Sequence, residues 1–226
     1  MRNINAMLLC GVLCLTGQLQ VVAAVKLDTE EQKFNYIMGL EMAAHLKRTG
    51  AKIDLDSFVR GVKDTLEGKK AALSPKQIAA VKQQVRKRML EQRKEAAGRN
   101  LAESKKFLEE NKKKEGVQTT VSGLQYKVIK EGEGAKPKPT DTVSVQYRGT
   151  LVDGTEFDSS YKRGQSATFR LNRVIKGWTE GLQLMPVGST YRFFIPPDLA
   201  YGERGAGPQI GPSQALIFDV ELLEIK

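Results

Sequence analysis

The sequence predicts an α+β chain. An all-α N-terminal region with a long connecting helix precedes an antiparallel β-sheet wrapped around a short helix. Three observations carry this prediction. Apolar residues recur at spacings of three or four between Phe34 and Leu66. A polar, charge-rich run from Pro75 meets no strong breaker before Gly116. From Ser122 the apolar period changes to two and holds in short runs to the end of the chain. At 226 residues the chain has room for two domains.

The N-terminus carries a targeting pattern. Arg2 precedes the apolar run AMLLCGVLCLTG, and the small residues of VVAA follow. This is a secretory signal over residues 1–24, with the cut expected between Ala24 and Val25. The alternative is an uncleaved anchor, although the run is short for a membrane span. Leu9 and Leu13 stand before the two cysteines, where a lipoprotein would need small residues. Cleavage removes Cys10 and Cys14, so the mature chain has neither a disulfide framework nor a thiol nucleophile. His45 is the single histidine, which argues against a zinc site and a Ser-His-Asp triad. No metal and no cofactor are expected.

Residues 25–73 should form two short helices. Thr29 with Gln32 makes a capping box, followed by Phe34, Met38, Met42 and His45/Leu46. Asp54 or Asp56 can cap the second, whose stripe is Leu55, Phe58/Val59, Val62 and Leu66. Two such helices make a poor core alone. Their stripes either pair with a second copy, as a homodimer, or fold back on the long helix. That third helix occupies residues 74–118 and starts at Ser74-Pro75 with Gln77 reaching back. Its net charge is +7, most of the chain's +10. Apolar positions thin out after Leu90, leaving Leu101 and Phe107/Leu108, so the helix is expected to be a solvated connector. Charge pairs of Glu91 and Glu95 with nearby Arg and Lys would hold it. The basic excess has no interleaved aromatics, so nucleic acid is not an expected partner.

Residues 119–226 hold the strands. The alternating runs are Leu124-Tyr126-Val128, Val143-Val145-Tyr147, Ala167-Phe169-Leu171, Tyr191-Phe193-Ile195 and Leu216-Phe218-Val220-Leu222. A short helix is predicted around Ile175–Leu184. A tight turn at Asp153-Gly154 leads into Phe157 and Asp158. Strict alternation would point these two apart, so a strand end or a bulge is required for both to line one site. Trp178 shares a helix face with Val174 and Ile175. Taken singly, Trp178, Tyr147, Phe157, Phe169 and Phe218 are core residues. Tyr201 opens the glycine-rich loop AYGERGAG, where a large aromatic has less packing reason to be.

Four segments, in this order, make the chain recognisable: VSVQYRGTLVDGTEFDSS, VIKGWTEGLQLMPVGS, AYGERGAG and IFDVELLEI. They resemble the FKBP-type peptidyl-prolyl cis-trans isomerases over nearly all of residues 120–226. The helical front end, the basic helix and GPQIGPSQALIF resemble the macrophage infectivity potentiator subclass of Gram-negative bacteria. The resemblance implies an FKBP-like sheet and an apolar pocket for the proline of Xaa-Pro polypeptides. It implies Trp178 as the floor, with walls from Tyr147, Phe157, Val174, Ile175 and Phe218 and with Phe169 close by. It places Asp158 as the pocket carboxylate, Arg163 as its partner and Ile210 among the substrate-binding residues. The Tyr201 hydroxyl and the Ile175 N–H would bind carbonyls. A homodimer, rapamycin-type macrolide inhibitors and a periplasmic location follow from the same resemblance, with the outer membrane or cell surface left open. Two departures are present: Ala167 replaces an aromatic wall, and the loop from Glu203 to Pro212 differs from the small eukaryotic members.

The chemistry suits such residues. Rotation about a peptide bond meets a barrier of ~18–20 kcal/mol, and Xaa-Pro isomers exchange in ~10–100 s at 25 °C. No bond breaks, so neither nucleophile nor metal is needed. The alternative reading is a chaperone or binding module whose helical arms hold clients and whose isomerase activity is incidental.

Overall fold

Each helix begins where its capping residues stand. In this computed structural model, which describes residues 26–48 and 52–226, α1 spans Glu30–Arg48, α2 Leu55–Leu66 and α3 Pro75–Asn111. The expected signal at 1–24, with both cysteines, lies outside the described residues. The chain forms two compact units, one ending at Ile53 and one spanning Asp54–Lys226. In the first, the Thr29 and Gln32 side chains cap each other's backbone N–H at 3.2 and 3.1 Å. Phe34, Ile37, Met38 and Met42 of α1 are exposed. In the second, Asp54 rather than Asp56 caps α2, accepting from the Ser57 N–H at 2.9 Å. Leu55, Val59, Val62 and Leu66 stay exposed. Ser74 and Gln77 form the complete capping box of α3, with Pro75 in its first turn. No described helix is long and apolar enough to cross a membrane.

The C-terminal part of α3 departs from the solvated connector expected of it. Ser104 and Asn111 are buried, and the Phe107 ring lies 6.0 Å from Phe194. Asn111 donates to the Gln125 side chain, and Gln125 donates to the Leu108 carbonyl, both at 2.9 Å. Apart from Phe107, the docking face works through amides and a hydroxyl, so much of its sequence looks like a solvent face. Of the expected charge pairs, Glu95 approaches Arg99 at 4.0 Å, while Glu91 makes none among the described residues.

Seven antiparallel strands follow: β1 Val117–Thr119, β2 Gln125–Lys130, β3 Thr142–Leu151, β4 Glu156–Ser159, β5 Ala167–Arg170, β6 Thr190–Ile195 and β7 Leu216–Ile225. Their order is β1-β2-β6-β7-β3-β4, and β5 shares with β4 the outer edge of β3. The helix α4, Lys176–Leu182, packs on the core face of the sheet. Alternation delivers one face of each long strand to the core: Val143, Val145 and Tyr147, then Tyr191, Phe193 and Ile195, then Phe218, Val220 and Leu222. Trp178, Leu182 and Met185 meet them from the helix side. Two glycines one turn apart set the spacing. A Cβ on Gly177 would stand 2.5 Å from Cγ2 of Ile195, and one on Gly181 would stand 2.6 Å from Cε1 of Phe193. No other residue lets α4 sit this close to β6.

Candidate active site

The closeness of α4 to the sheet places Trp178 at the bottom of a cleft of about 670 Å³, well within the range of ligand sites. Three rings stand edge-on around the indole: Tyr147 at 5.1 Å, Phe218 at 5.2 Å and Phe169 at 5.4 Å between centroids. Phe157 continues the wall, perpendicular to Phe218 at 5.4 Å. Val174 and Ile175 close the side nearest α4. Tyr201 and the loop tip Ala206–Ile210 close the other. The Trp178 indole N–H is buried and has no partner among the described residues.

The turn and the strand after it explain how Phe157 and Asp158 both reach this cleft. Gly154 has φ 87°, and the Asp153 side chain accepts the Thr155 N–H at 2.9 Å. This closes a tight hairpin between β3 and β4. Gly149 then pairs with Asp158 and Thr150 with Glu156, so Phe157 is the extra residue of a β-bulge. Beyond β4, Ser160 fixes Tyr147. The Ser160 hydroxyl accepts the Tyr147 N–H at 2.8 Å, and its own N–H reaches the Tyr147 carbonyl at 3.0 Å.

Asp158 is the one carboxylate in the lining. The Tyr147 hydroxyl donates to one of its oxygens and the Arg163 guanidinium to the other. Arg163 also donates to the Tyr147 hydroxyl at 2.8 Å, with its cation 5.4 Å from the ring centroid. Arg163 therefore lies behind the carboxylate and does not itself line the cleft. Partial burial raises the Asp158 pKa, but the hydrogen bonds from Tyr147 and Arg163 and the charge of Arg163 outweigh it and hold the carboxyl below its ordinary value. Burial, with the bond to Asp158, pushes the Tyr147 hydroxyl up. Burial and the nearby Asp158 charge do the same for Tyr201. At neutral pH the site holds one anion, paired, and two neutral hydroxyls. The Tyr201 hydroxyl and the Ile175 N–H have no protein partner among the described residues, so both are free to donate.

This constellation has no nucleophile poised beside a base. It offers an aromatic slot, free donors at its rim and one paired carboxylate, with the cationic Arg173 also in the lining. Residues 133–223 match the family described as FKBP-type peptidyl-prolyl cis-trans isomerase, and residues 31–128 match the domain amino-terminal to it. The chain belongs to the FKBP-type peptidyl-prolyl cis-trans isomerases. It is 41% identical over 218 residues to the outer membrane protein MIP of Legionella longbeachae, covering 95% of this chain and 94% of that one. It is 48% identical over 199 residues to the FKBP-type 22 kDa peptidyl-prolyl cis-trans isomerase of Escherichia coli, covering 88% and 97%. The crystal structure of FkpA from Escherichia coli superposes with a TM-score of 0.63 at 39% identity, over 88% of this chain and 98% of that one. This FKBP-type isomerase thus acts on proline-containing polypeptides, with an N-terminal helical region ahead of its antiparallel sheet.

All the residues expected at the site except Arg163 converge on the cleft, Ile210 among them with 8% of its surface exposed. Residue-by-residue reading did not name Arg173 or the tip residues Ala206, Gly207, Pro208 and Gln209. Arg173 directly precedes two predicted wall residues, and Gly207-Pro208 is a turn signal inside the loop already singled out. Gly149 was also missed. Its mid-strand position is the usual mark of a close approach, and here two aromatic rings fill the space a Cβ would take.

Proposed function

We propose that the aromatic cleft is where the prolyl bond turns. The observation that carries this reading is the pairing of Asp158 with Tyr147 and Arg163 at the edge of a largely aromatic and aliphatic slot floored by Trp178. Water stabilises the planar, charge-separated amide. An apolar slot withdraws that support, and the twisted bond, being less polar, loses less. The Tyr201 hydroxyl and the Ile175 N–H hold the flanking carbonyls while the bond rotates. Asp158 orients Tyr147 and sets the field, and transfers no proton. Phe169, Val174, Phe218 and Ile210 exclude water.

The test compares isomerisation of short Xaa-Pro peptides by the mature chain from Val25 with that by Asp158→Leu and Tyr201→Phe. A sharp fall in kcat/KM for Asp158→Leu, with folding intact, is the expected result. Wild-type kcat/KM in both variants refutes the assignment.

The division of labour follows from the same reading. Residues 1–24 direct export, 25–73 dimerise, 74–118 connect and 119–226 catalyse, on exported proteins in the periplasm. The exposed apolar residues of α1 and of α2 support a homodimer. Light scattering should give twice the chain mass, and a monomer at micromolar concentration refutes it. Rapamycin-type macrolides are expected in the cleft, where quenching of Trp178, the only tryptophan, would report them. The same exposed α1 residues favour a second reading, client holding by the helical arms. It predicts that Asp158→Leu still suppresses aggregation.

A further inference from the structure

The loop joining β6 to β7 has two ends with different surroundings. Its tip lines the cleft. Ala206 and Ile210 bridge antiparallel, with N–H to carbonyl distances of 2.9 and 3.1 Å, so Gly207, Pro208 and Gln209 form the end of a small hairpin. Its base, residues 211–215, is away from the cleft and is held by α3. Asn100 Nδ2 donates to the Pro212 carbonyl at 2.8 Å. The Ser104 hydroxyl donates to the Ser213 carbonyl at 3.1 Å and accepts the Ala215 N–H at 2.8 Å. Arg93 donates to the Arg204 carbonyl on the other flank at 2.6 Å.

These three side chains come from one stripe of the helix. Positions 93, 100 and 104 fall within about 40° of one another at ~100° per residue. All three are polar, which is why this stretch of the helix resembled a solvent face. What it meets is backbone, and backbone of an unusual kind. Ser213, with φ 55°, is the only non-glycine residue of positive φ among the described residues. Its N–H is taken by the Gly202 carbonyl at 2.8 Å and its carbonyl by Ser104. Such a conformation persists only where its surroundings hold it. Loops that bind ligands are ordinarily among the least stable parts of a fold. This one has its base tied at several backbone groups to a helix outside the sheet.

We propose that Asn100 and Ser104, with Arg93, are positioning residues of the isomerase: α3 clamps the base of the 202–215 loop so that its tip is preset against the substrate. The proposal rests on the assignment of the cleft as the substrate site. A preset loop loses less freedom when the substrate arrives, so the clamp acts on affinity. It also makes that affinity depend on a helix that contributes no atom to the cleft.

The experiment uses the full mature chain and the variants Asn100→Ala, Ser104→Ala and Ser104→Thr. Amide hydrogen exchange is followed over 202–215, and kcat and KM are measured separately on an Xaa-Pro peptide. Asn100→Ala and Ser104→Ala, which remove one and two hydrogen bonds, should speed exchange in the loop by at least about fivefold to tenfold, with exchange in β3 and β7 unchanged. KM should rise by a similar factor while kcat stays within about twofold. Ser104→Thr keeps the hydroxyl and should stay near wild type. Asn100 is only partly buried, so Asn100→Ala carries the test if Ser104→Ala fails to fold. Unchanged loop exchange, or a loosened loop with wild-type KM, overturns the clamp. Failure of the cleft assignment looks different: Asp158→Leu then keeps wild-type kcat/KM, and the clamp falls with it.

Discussion

Replacing Gly149 with alanine adds one methyl group and should damage the cleft. Gly149 pairs with Phe218 on one side and Asp158 on the other. A Cβ there would stand 2.7 Å from Cε2 and Cζ of Phe157 and from Cε1 of Phe218. Carbon contacts settle near ~3.5–4.0 Å, so a ring must withdraw by about 1 Å. The two rings are not equally free. Phe218 is 4% exposed and packed edge-on against Trp178, whereas Phe157 is half-buried on the bulge. Phe157 therefore moves, and with it one wall of the site. Overpacking of this kind costs ~1–3 kcal/mol, and a unit of this size shifts ~2–4 °C per kcal/mol, so Tm should fall by roughly 2–12 °C. A wall displaced by about 1 Å should lower kcat/KM by about tenfold, and at most by ~10²-fold. Thermal denaturation and the peptide assay read the two effects. Adding Phe157→Leu to Gly149→Ala should restore Tm and leave activity low. Wild-type Tm and kcat/KM in Gly149→Ala would refute the reasoning, as would failure of Phe157→Leu to recover Tm.

Across pH, kcat/KM should be flat between about 5 and 9, because the Asp158 carboxyl is held below its ordinary ~3.9 and the Tyr201 hydroxyl above its ordinary ~10. The stability contributed by Asp158 is present above the unfolded value near ~3.9 and lost as pH falls through the lower folded one, which an acid titration of wild type against Asp158→Leu will show. Burial and the Glu131 carboxylate push the Tyr191 hydroxyl up to about 12. Its contribution is complete below the unfolded value near ~10 and is lost as pH rises towards the folded one, so Tyr191→Phe should flatten the alkaline limb of the denaturation profile. Gly181→Ala should lift α4 from β6 and cost ~1–3 kcal/mol in a denaturant melt. Gly98→Ala, in an α3 position with no atom within 4 Å of the new Cβ, should gain ~0.5–1 kcal/mol.

The parts legible in the sequence are those where one periodicity governs. β3, β6 and β7 each bury one face against α4, so alternation in the sequence marks their inward residues. The start of α3 was legible because Ser74, Pro75 and Gln77 act locally. β1 was not, since three residues carry no period. β4 was legible only through the Asp153-Gly154 turn before it and the need for Phe157 and Asp158 to share one site, which called for a strand end or a bulge; the pairing shows the bulge. The docking of α3 was misread because Asn100, Ser104 and Asn111 satisfy backbone and amide groups, and a polar residue that does this looks the same in sequence as one facing water. At the site, the resemblance supplied the aromatic set and Asp158, while Arg173 and Gly149 needed coordinates. Arg173 carries no signal beyond its neighbours, and the mid-strand Gly149 signals a close approach without saying which rings make it.

The bulge at Phe157 links the fold to the chemistry. With strict alternation, a strand that turned Phe157 into the cleft would turn Asp158 out, and the reverse. One unpaired residue removes that exclusion and costs little, because β4 is a short edge strand with one partner over this stretch. Once Asp158 is brought in, the slot would hold a partly desolvated carboxylate, which is unfavourable without partners. Tyr147 and Arg163 are those partners, and each is placed by the same local chain: Tyr147 through Ser160, and Arg163 through the turn that ends at Gly164 with φ 70°. The segment from Gly149 to Gly164 thus builds a wall, a charge and the compensation for that charge. An isomerase that makes and breaks no bond needs these held still more than it needs a reactive group, and a hairpin tied at both ends to β3 holds them.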